Sequence, residues 1–221
     1  NATTGTNPSS VSFSSDGRFI AVSNYSSNTL QIFSFYVFTT PTLVGGNATT
    51  GNNPSCITWS PDGRFVAVSN YSSNTLQVFS FDGFSVPTLV GESSPTDNNP
   101  NSVSFSPDGR FISVVNRGSN KLQVFSFNGT DTPGQVSSGI ATEFTPYSVL
   151  WSSDEKFVAT VNYASLQIFK ADYITDVSVQ AISNGIVFGN SNLGSNYDST
   201  VNLLAGANVN VDGLLNYDCA L

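Results

Sequence analysis

The chain has 221 residues, 39% of them hydrophobic and only 10% charged, with a formal net charge of −8 and no histidine or methionine. Seven Lys and Arg are too few to replace counterions along a phosphate backbone or to grip an anionic lipid surface, which excludes nucleic-acid and membrane-surface partners. No apolar run reaches the roughly 18 residues of a membrane-crossing helix, so no membrane insertion is expected, and the lack of His excludes the usual zinc sites.

Ser, Thr, Asn and Gly fill the place of charge, where an ordinary soluble domain carries about 25% charged residues. A surface wetted by hydroxyls and amides reads as extracellular or cell-surface. The chain starts at Asn1 without a Met, so it reads as a processed form or a piece of a longer protein. Cys56 and Cys219 lie far apart; they read as two unpaired thiols, or as a disulfide in an oxidising compartment.

A repeat organises the chain. Pro8, Pro54, Pro100 and Pro146 recur every 46 residues, as do Asp16, Asp62, Asp108 and Asp154, and Phe19, Phe65, Phe111 and Phe157. Such a period is the signature of a repeat architecture. Within the first unit a strand is expected over 10–14, with Val11 and Phe13 on one face. Asp16-Gly17 supplies a tight hairpin, because Gly tolerates positive φ. The nearly continuous apolar run 19–23 reads as a strand buried on both faces. Ser26, Ser27 and Asn28 turn the chain into a third strand over 30–35. A short fourth strand over 41–44 follows, its Pro marking edge character.

The units are therefore expected at about 1–46, 47–92, 93–138 and 139–183, forming one β-propeller-like domain over 1–183. The string NPSCITWSPDGRFVAVSNYSSNTLQVFSFDG, residues 53–83, resembles the YVTN-type repeat of seven-bladed propellers. It is also similar to WD40 units and to the propeller lactonase family. The resemblance implies an all-β fold of tandem four-stranded antiparallel blades. Four units are visible where that family uses seven. Asn1–Gly5 repeats Asn47–Gly51, so the chain opens at a unit boundary with no strand left over for the last blade. The units either close as a four-bladed ring, belong to a longer ring, or form an open arc closed by assembly.

After Lys170 the pattern changes: residues 171–221 hold five Asp and no Lys, Arg or Glu. Short strands are expected over 176–182, as the last blade's fourth strand, and over 186–188, 200–204 and 208–211. The segment 184–221 reads as a β cap or assembly element.

No imidazole is present to serve a Ser-His-Asp triad, no G-x-S-x-G elbow precedes a helix, and the recurring Asp residues suit turn chemistry. No catalytic, cofactor or metal site is expected. The ends of the second strands vary: Asn24-Tyr25, Asn70-Tyr71, Asn116-Arg117 and Asn162-Tyr163 would rim one mouth of a propeller channel. Aromatic and guanidinium planes there suit a glycan or protein ligand. Sequons at Asn1, Asn24, Asn47, Asn70 and Asn128 are candidate glycosylation sites.

These readings favour a non-enzymatic surface protein, structural or adhesive, that associates with itself through strand edges and the C-terminal segment, or with other surface proteins and glycans. The alternatives are a lactonase-like propeller hydrolase, as the family resemblance implies, and a propeller scaffold for a protein or glycan partner.

Overall fold

Each Asp-Gly hairpin is built by three side chains acting on a few backbone groups. In the computed structural model, which describes residues 1–36, 39–136 and 138–171, Ser14 Oγ donates to Asp16 Oδ1 at 2.6 Å and accepts the Phe19 N–H at 3.0 Å. Asp16 Oδ1 also accepts the Arg18 N–H at 3.0 Å. Gly17 takes the left-handed conformation at φ 70°. The arrangement recurs at Asp62, Asp108 and Asp154, although in the fourth hairpin Glu155 occupies the left-handed position at φ 62°.

These hairpins open four antiparallel sheets. The first contains β1 (Pro8–Phe13), β2 (Phe19–Asn24), β3 (Thr29–Ser34) and β4 (Thr42–Thr49), in that order. The second contains β5 (Pro54–Trp59), β6 (Phe65–Asn70) and β7 (Thr75–Ser80), with β8 (Thr88–Leu89) and β9 (Ser94–Pro95) both pairing with β7. The third repeats this with β10 (Pro100–Phe105), β11 (Phe111–Asn116), β12 (Lys121–Ser126), β13 (Gly134–Gln135) and β14 (Ile140–Ala141). The fourth contains β15 (Ser148–Trp151), β16 (Phe157–Val161) and β17 (Leu166–Lys170). The described residues contain no helix, and the expected all-β architecture is what the chain adopts.

The outer strand differs from expectation. In the first sheet it runs to Thr49, five residues beyond the expected end at 44, so β4 crosses the 46/47 unit boundary and Asn47 pairs with Gln31. In the second and third sheets the same strand is split in two. Gly91 at φ 61° and Gly139 at φ 94° lie in the gaps, and prolines at 87, 95 and 133 withhold ladder donors.

The sheets pack face to face in chain order, β1 on β5, β5 on β10 and β10 on β15, and no contact of like extent joins the fourth sheet to the first. Three apolar clusters fill the three junctions. Leu30 and Ile32 meet Ile57 and Trp59 in the first, and Leu122 and Val124 meet Val149 and Trp151 in the third. The middle cluster joins Leu76 and Val78 to Val103 and Phe105. Burying a side chain of this size on both faces contributes about 1.5–3 kcal/mol. Edge-to-face rings, Phe19 on Phe81 and Phe65 on Phe127 with centroids 5.0 Å apart, close the hairpin ends of two junctions. Among the described residues the four sheets form an open arc.

The chain divides into two compact units, Asn1–Asp176 and Val177–Leu221. All described residues belong to the first. The strands expected over 176–182, 186–188, 200–204 and 208–211, the 184–221 cap, and Cys219 lie outside the described residues.

Candidate functional site

One end of the arc carries two loops per sheet, the one before its first strand and the one after its second. Backbone bonds zip them together: Tyr25 N–H to Asn7 O at 2.8 Å, Tyr71 N–H to Asn53 O at 2.9 Å and Arg117 N–H to Asn99 O at 2.9 Å. Both loops need left-handed residues, supplied by Asn7, Asn53 and Asn99 at φ 56° and by Asn28, Asn74 and Asn120 at φ 53–54°; Asn tolerates this region better than most residues. Asn28 Oδ1 accepts the Asn53 N–H of the next sheet at 2.8 Å, and Asn74 does the same for Asn99, Asn120 for Thr145.

Asn24, Asn70, Asn116 and Asn162 do not present their amides to this rim. All four are buried, and each donates through Nδ2 to a glutamine of its own third strand: Gln31, Gln77 and Gln123 at 3.0, 3.0 and 2.9 Å, and Gln167 at 3.0 Å. They pin the second strand to the third through these amides. Among the sequon asparagines Asn24 and Asn70 are buried, whereas Asn1, Asn47 and Asn128 are exposed. Of the paired positions, Arg117 and Tyr163 are exposed and Tyr25 and Tyr71 half-buried. Cys56 carries a free thiol.

The rim is nearly identical in the first two sheets and changes character between the third and fourth. Where Gly5 and Gly51 stand, the later units carry Asp97 and Glu143; where Ser9 and Ser55 stand, they carry Asn101 and Tyr147. Lys121 Nζ lies 3.3 Å from Asp97 Oδ2. The Arg117 guanidinium sits 5.2 Å above the centre of the Tyr147 ring, and the Tyr147 carbonyl is held by Asn101 Nδ2 at 2.8 Å. Glu143, anchored by its N–H to Gln167 Oε1 at 2.7 Å, extends an exposed carboxylate. Asp97, Asn101, Lys121, Glu143 and Tyr147 were not singled out by the sequence reading. The signal that finds them is departure from the repeat in loops that otherwise copy one another.

Arginines elsewhere are neutralised locally. Arg18, Arg64 and Arg110 each bond the Asp two residues before and lie over the following Phe ring at 5.6, 5.3 and 5.8 Å. No carboxylate pairs with Arg117 among the described residues. Arg117 is thus a cation able to bind an anionic oxygen, and Glu143, in the loop before the fourth sheet, carries a solvent-facing carboxylate. No group of three or more metal-ligating acids or thiols is present among the described residues. A groove of about 520 Å³ lined by Arg18, Tyr36, Leu43, Asp82 and Phe84 lies at the opposite, hairpin end.

The sequence matches the family described as lactonase, seven-bladed β-propeller, over residues 1–86 and 84–175. The chain belongs to this propeller lactonase family. No curated protein sequence matches it. Solved structures share its fold: a candidate 6-phosphogluconolactonase from Bacteroides uniformis (20% identity, TM-score 0.66, covering 74% of this chain and 50% of that one), and the periplasmic gluconolactonase PpgL of Pseudomonas aeruginosa (21%, 0.62, 74% and 49%). The β-propeller domain of Cps50 (Swd1) from Myceliophteria thermophila is a third (11%, 0.60, 74% and 53%). The chain spans about half the length of these structures. Membership in the lactonase family overturns the non-enzymatic structural or adhesive reading, and with it the filament and cell-surface roles. The hydrolase alternative is the one the family supports.

Proposed function

We propose that this chain is the blade-bearing part of a lactone hydrolase that opens a sugar lactone with water. The observation that carries the reading is the family match across both halves of residues 1–175; the asymmetric rim patch supplies groups of the right chemistry. Water oxygen bonds to the lactone carbonyl carbon, the ring C–O bond breaks, and the released alkoxide takes up a proton to give a hydroxy acid. In this reading Glu143 accepts the proton from the attacking water and passes it to the leaving oxygen. Arg117 holds an anionic group of the substrate or the developing oxyanion, where a charge-assisted hydrogen bond is strongest. Tyr147 fixes the guanidinium from below, and Tyr25, Tyr71 and Tyr163 extend the rim.

The finer assignments belong to the same reading. They are a YVTN-type repeat, a four-unit blade domain over 1–183 with a 184–221 appendage, and an extracytoplasmic location in keeping with the low-charge, hydroxyl-rich surface. The test is a pH-stat assay of gluconolactone and of a phosphorylated gluconolactone. Turnover above the spontaneous rate that falls in Glu143→Gln, with an unchanged unfolding midpoint, is the expected result. Folded chain that never exceeds the spontaneous rate on either lactone overturns the proposal.

A further inference from the structure

The groove at the hairpin end is walled by two adjacent sheets, the first and the second. Its frame belongs to the repeat: Arg18, Leu43 and Gly45 recur as Arg64, Leu89 and Gly91 at the next junction. Three lining positions break the pattern. Tyr36 stands where the next junction has Asp82, Asp82 where it has Asn128, and Phe84 where it has Thr130. The departures therefore place two aromatic rings and a carboxylate on this groove alone of the two. Both rings are open to solvent, Tyr36 at 66% and Phe84 at 84% exposure, with Leu43 beside them at 38%. Phe84 belongs to the second sheet, which has a described sheet on either side, so the ends of the arc play no part in its exposure.

Backbone contacts hold the groove in shape before any ligand arrives. Asp82 Oδ1 accepts the N–H groups of Phe84 at 2.8 Å and Ser85 at 2.7 Å, which closes the loop that carries the ring. That loop lies on β4 at Gly45, whose φ is 71° and where a Cβ would stand 2.3 Å from the Val86 nitrogen; only glycine admits so close an approach. The Ser85 and Phe84 N–H groups also hold the Asp82 carboxyl below its ordinary range, so it stays an ionised acceptor. On the first-sheet wall Arg18, bonded through Nε to Asp16, keeps a side chain that is 65% exposed. Asp16 balances the charge of Arg18, so Asp82 leaves this end of the groove with an excess of negative charge, which disfavours phosphate and carboxylate ligands.

We propose that the groove is a binding site for a neutral oligosaccharide. A pyranose presents apolar C–H faces, which pack on aromatic rings such as Tyr36 and Phe84. Its hydroxyls need a donor and an acceptor side by side, and Arg18 and Asp82 supply both in the charged form that makes the stronger hydrogen bond. The volume of about 520 Å³ falls within the roughly 300–1,000 Å³ of small-molecule sites. An organic cation would suit the rings and Asp82, but it meets the guanidinium of Arg18. The site stands on the hairpin end of the arc and is independent of the lactonase reading, which concerns the opposite end.

The experiment is calorimetric titration of the full chain with maltotriose, cellotriose and chitotriose, and with trigalacturonic acid and choline as the charged alternatives. At least one neutral trisaccharide should bind saturably at one site per chain. Tyr36→Ala and Phe84→Ala should each weaken it about 10-fold through loss of a stacking face. Asp82→Asn should weaken it by a similar factor: the amide keeps the loop closed, as Asn128 does toward Thr130 and Asp131, but gives up the charged acceptor. Thr130→Ala, at the matching place one junction on, should change nothing. Both rings face solvent, so unfolding midpoints should hold; if either falls, Tyr36→Leu and Phe84→Leu remove the ring and keep an apolar side chain. Absence of saturable binding by all three neutral sugars, tighter binding of trigalacturonic acid or choline, or binding that survives Phe84→Ala overturns the proposal.

Discussion

Asn28 and Asn53 meet across the first junction, the Asn28 side-chain oxygen accepting the Asn53 N–H at 2.8 Å while both residues hold left-handed backbones at φ 54° and 56°. The same latch recurs twice, through Asn74 and Asn120. Side chain and backbone conformation can be separated at the middle one. Asn74→Gly removes the hydrogen bond without a left-handed penalty, adding only the unfolded-state entropy of Gly, and should cost about 1–2 kcal/mol. Asn74→Ala adds the left-handed penalty of a further ~1 kcal/mol. Urea unfolding of the two variants measures the gap; equal stabilities would show that the backbone there is unstrained.

Glu155 poses the reverse case. It sits at φ 62° where the other three hairpins use Gly17, Gly63 and Gly109. Glu155→Gly relieves the clash of Cβ with the backbone at some cost in unfolded-state entropy, for a net gain of about 0.5–1 kcal/mol. A thermal midpoint that falls on this substitution would contradict the account.

Acid should weaken these hairpins. The Ser14 hydroxyl, then the Arg18 N–H and guanidinium, hold the Asp16 carboxyl well below its usual 3.8, at about 2. For Asp62 and Asp108 partial burial pushes upward, yet hydrogen bonds from Ser60 or Ser106 and from the following arginine outweigh it, so both are lowered. A carboxyl depressed in the folded state stabilises it above the unfolded value, and that stability is lost as pH falls toward the folded value. Denaturant midpoints should therefore decline between about pH 4 and pH 2, and less steeply in Asp16→Asn. A parallel decline in that variant would remove Asp16 from the explanation.

One repeat position should give two outcomes. Leu76 is fully buried and Leu166 is exposed, though both begin the apolar part of a third strand. Leu76→Ala should cost about 2–5 kcal/mol through lost burial and a residual cavity. Leu166→Ala should fall within about 0.5 kcal/mol of the parent. Similar losses at both would mean that the outer face of β17 is covered.

If the rim patch binds an anionic lactone, Arg117→Ala should raise KM for the phosphorylated substrate by about 10–100-fold and leave the neutral one nearly unaffected. Equal effects on both substrates would assign Arg117 to the reacting carbonyl instead.

Most of the fold could be read from the 46-residue period, the Asp-Gly turns and the alternation of Val, Phe and Leu, because each reports a local backbone demand. The run expected over 19–23 became β2, and in the second unit every residue of its counterpart β6 is buried. The split outer strand was not legible, since its halves depend on where Gly91 and Gly139 break the ladder. Sequence shows where a strand ends but not which way an amide turns, and Gln31 and its counterparts draw the amides of Asn24, Asn70, Asn116 and Asn162 inward. Asp97, Glu143 and Tyr147 are legible only as departures from the repeat, since a shared period reports what the units have in common and the patch lies in what they do not.

The strand β4 begins in one 46-residue segment and ends in the next. A duplicated segment of that length is consequently born interlocked: its leading residues finish the sheet behind it, and its own sheet waits for the segment ahead. No single period is therefore a self-sufficient module: each needs residues of the next to complete its outer strand.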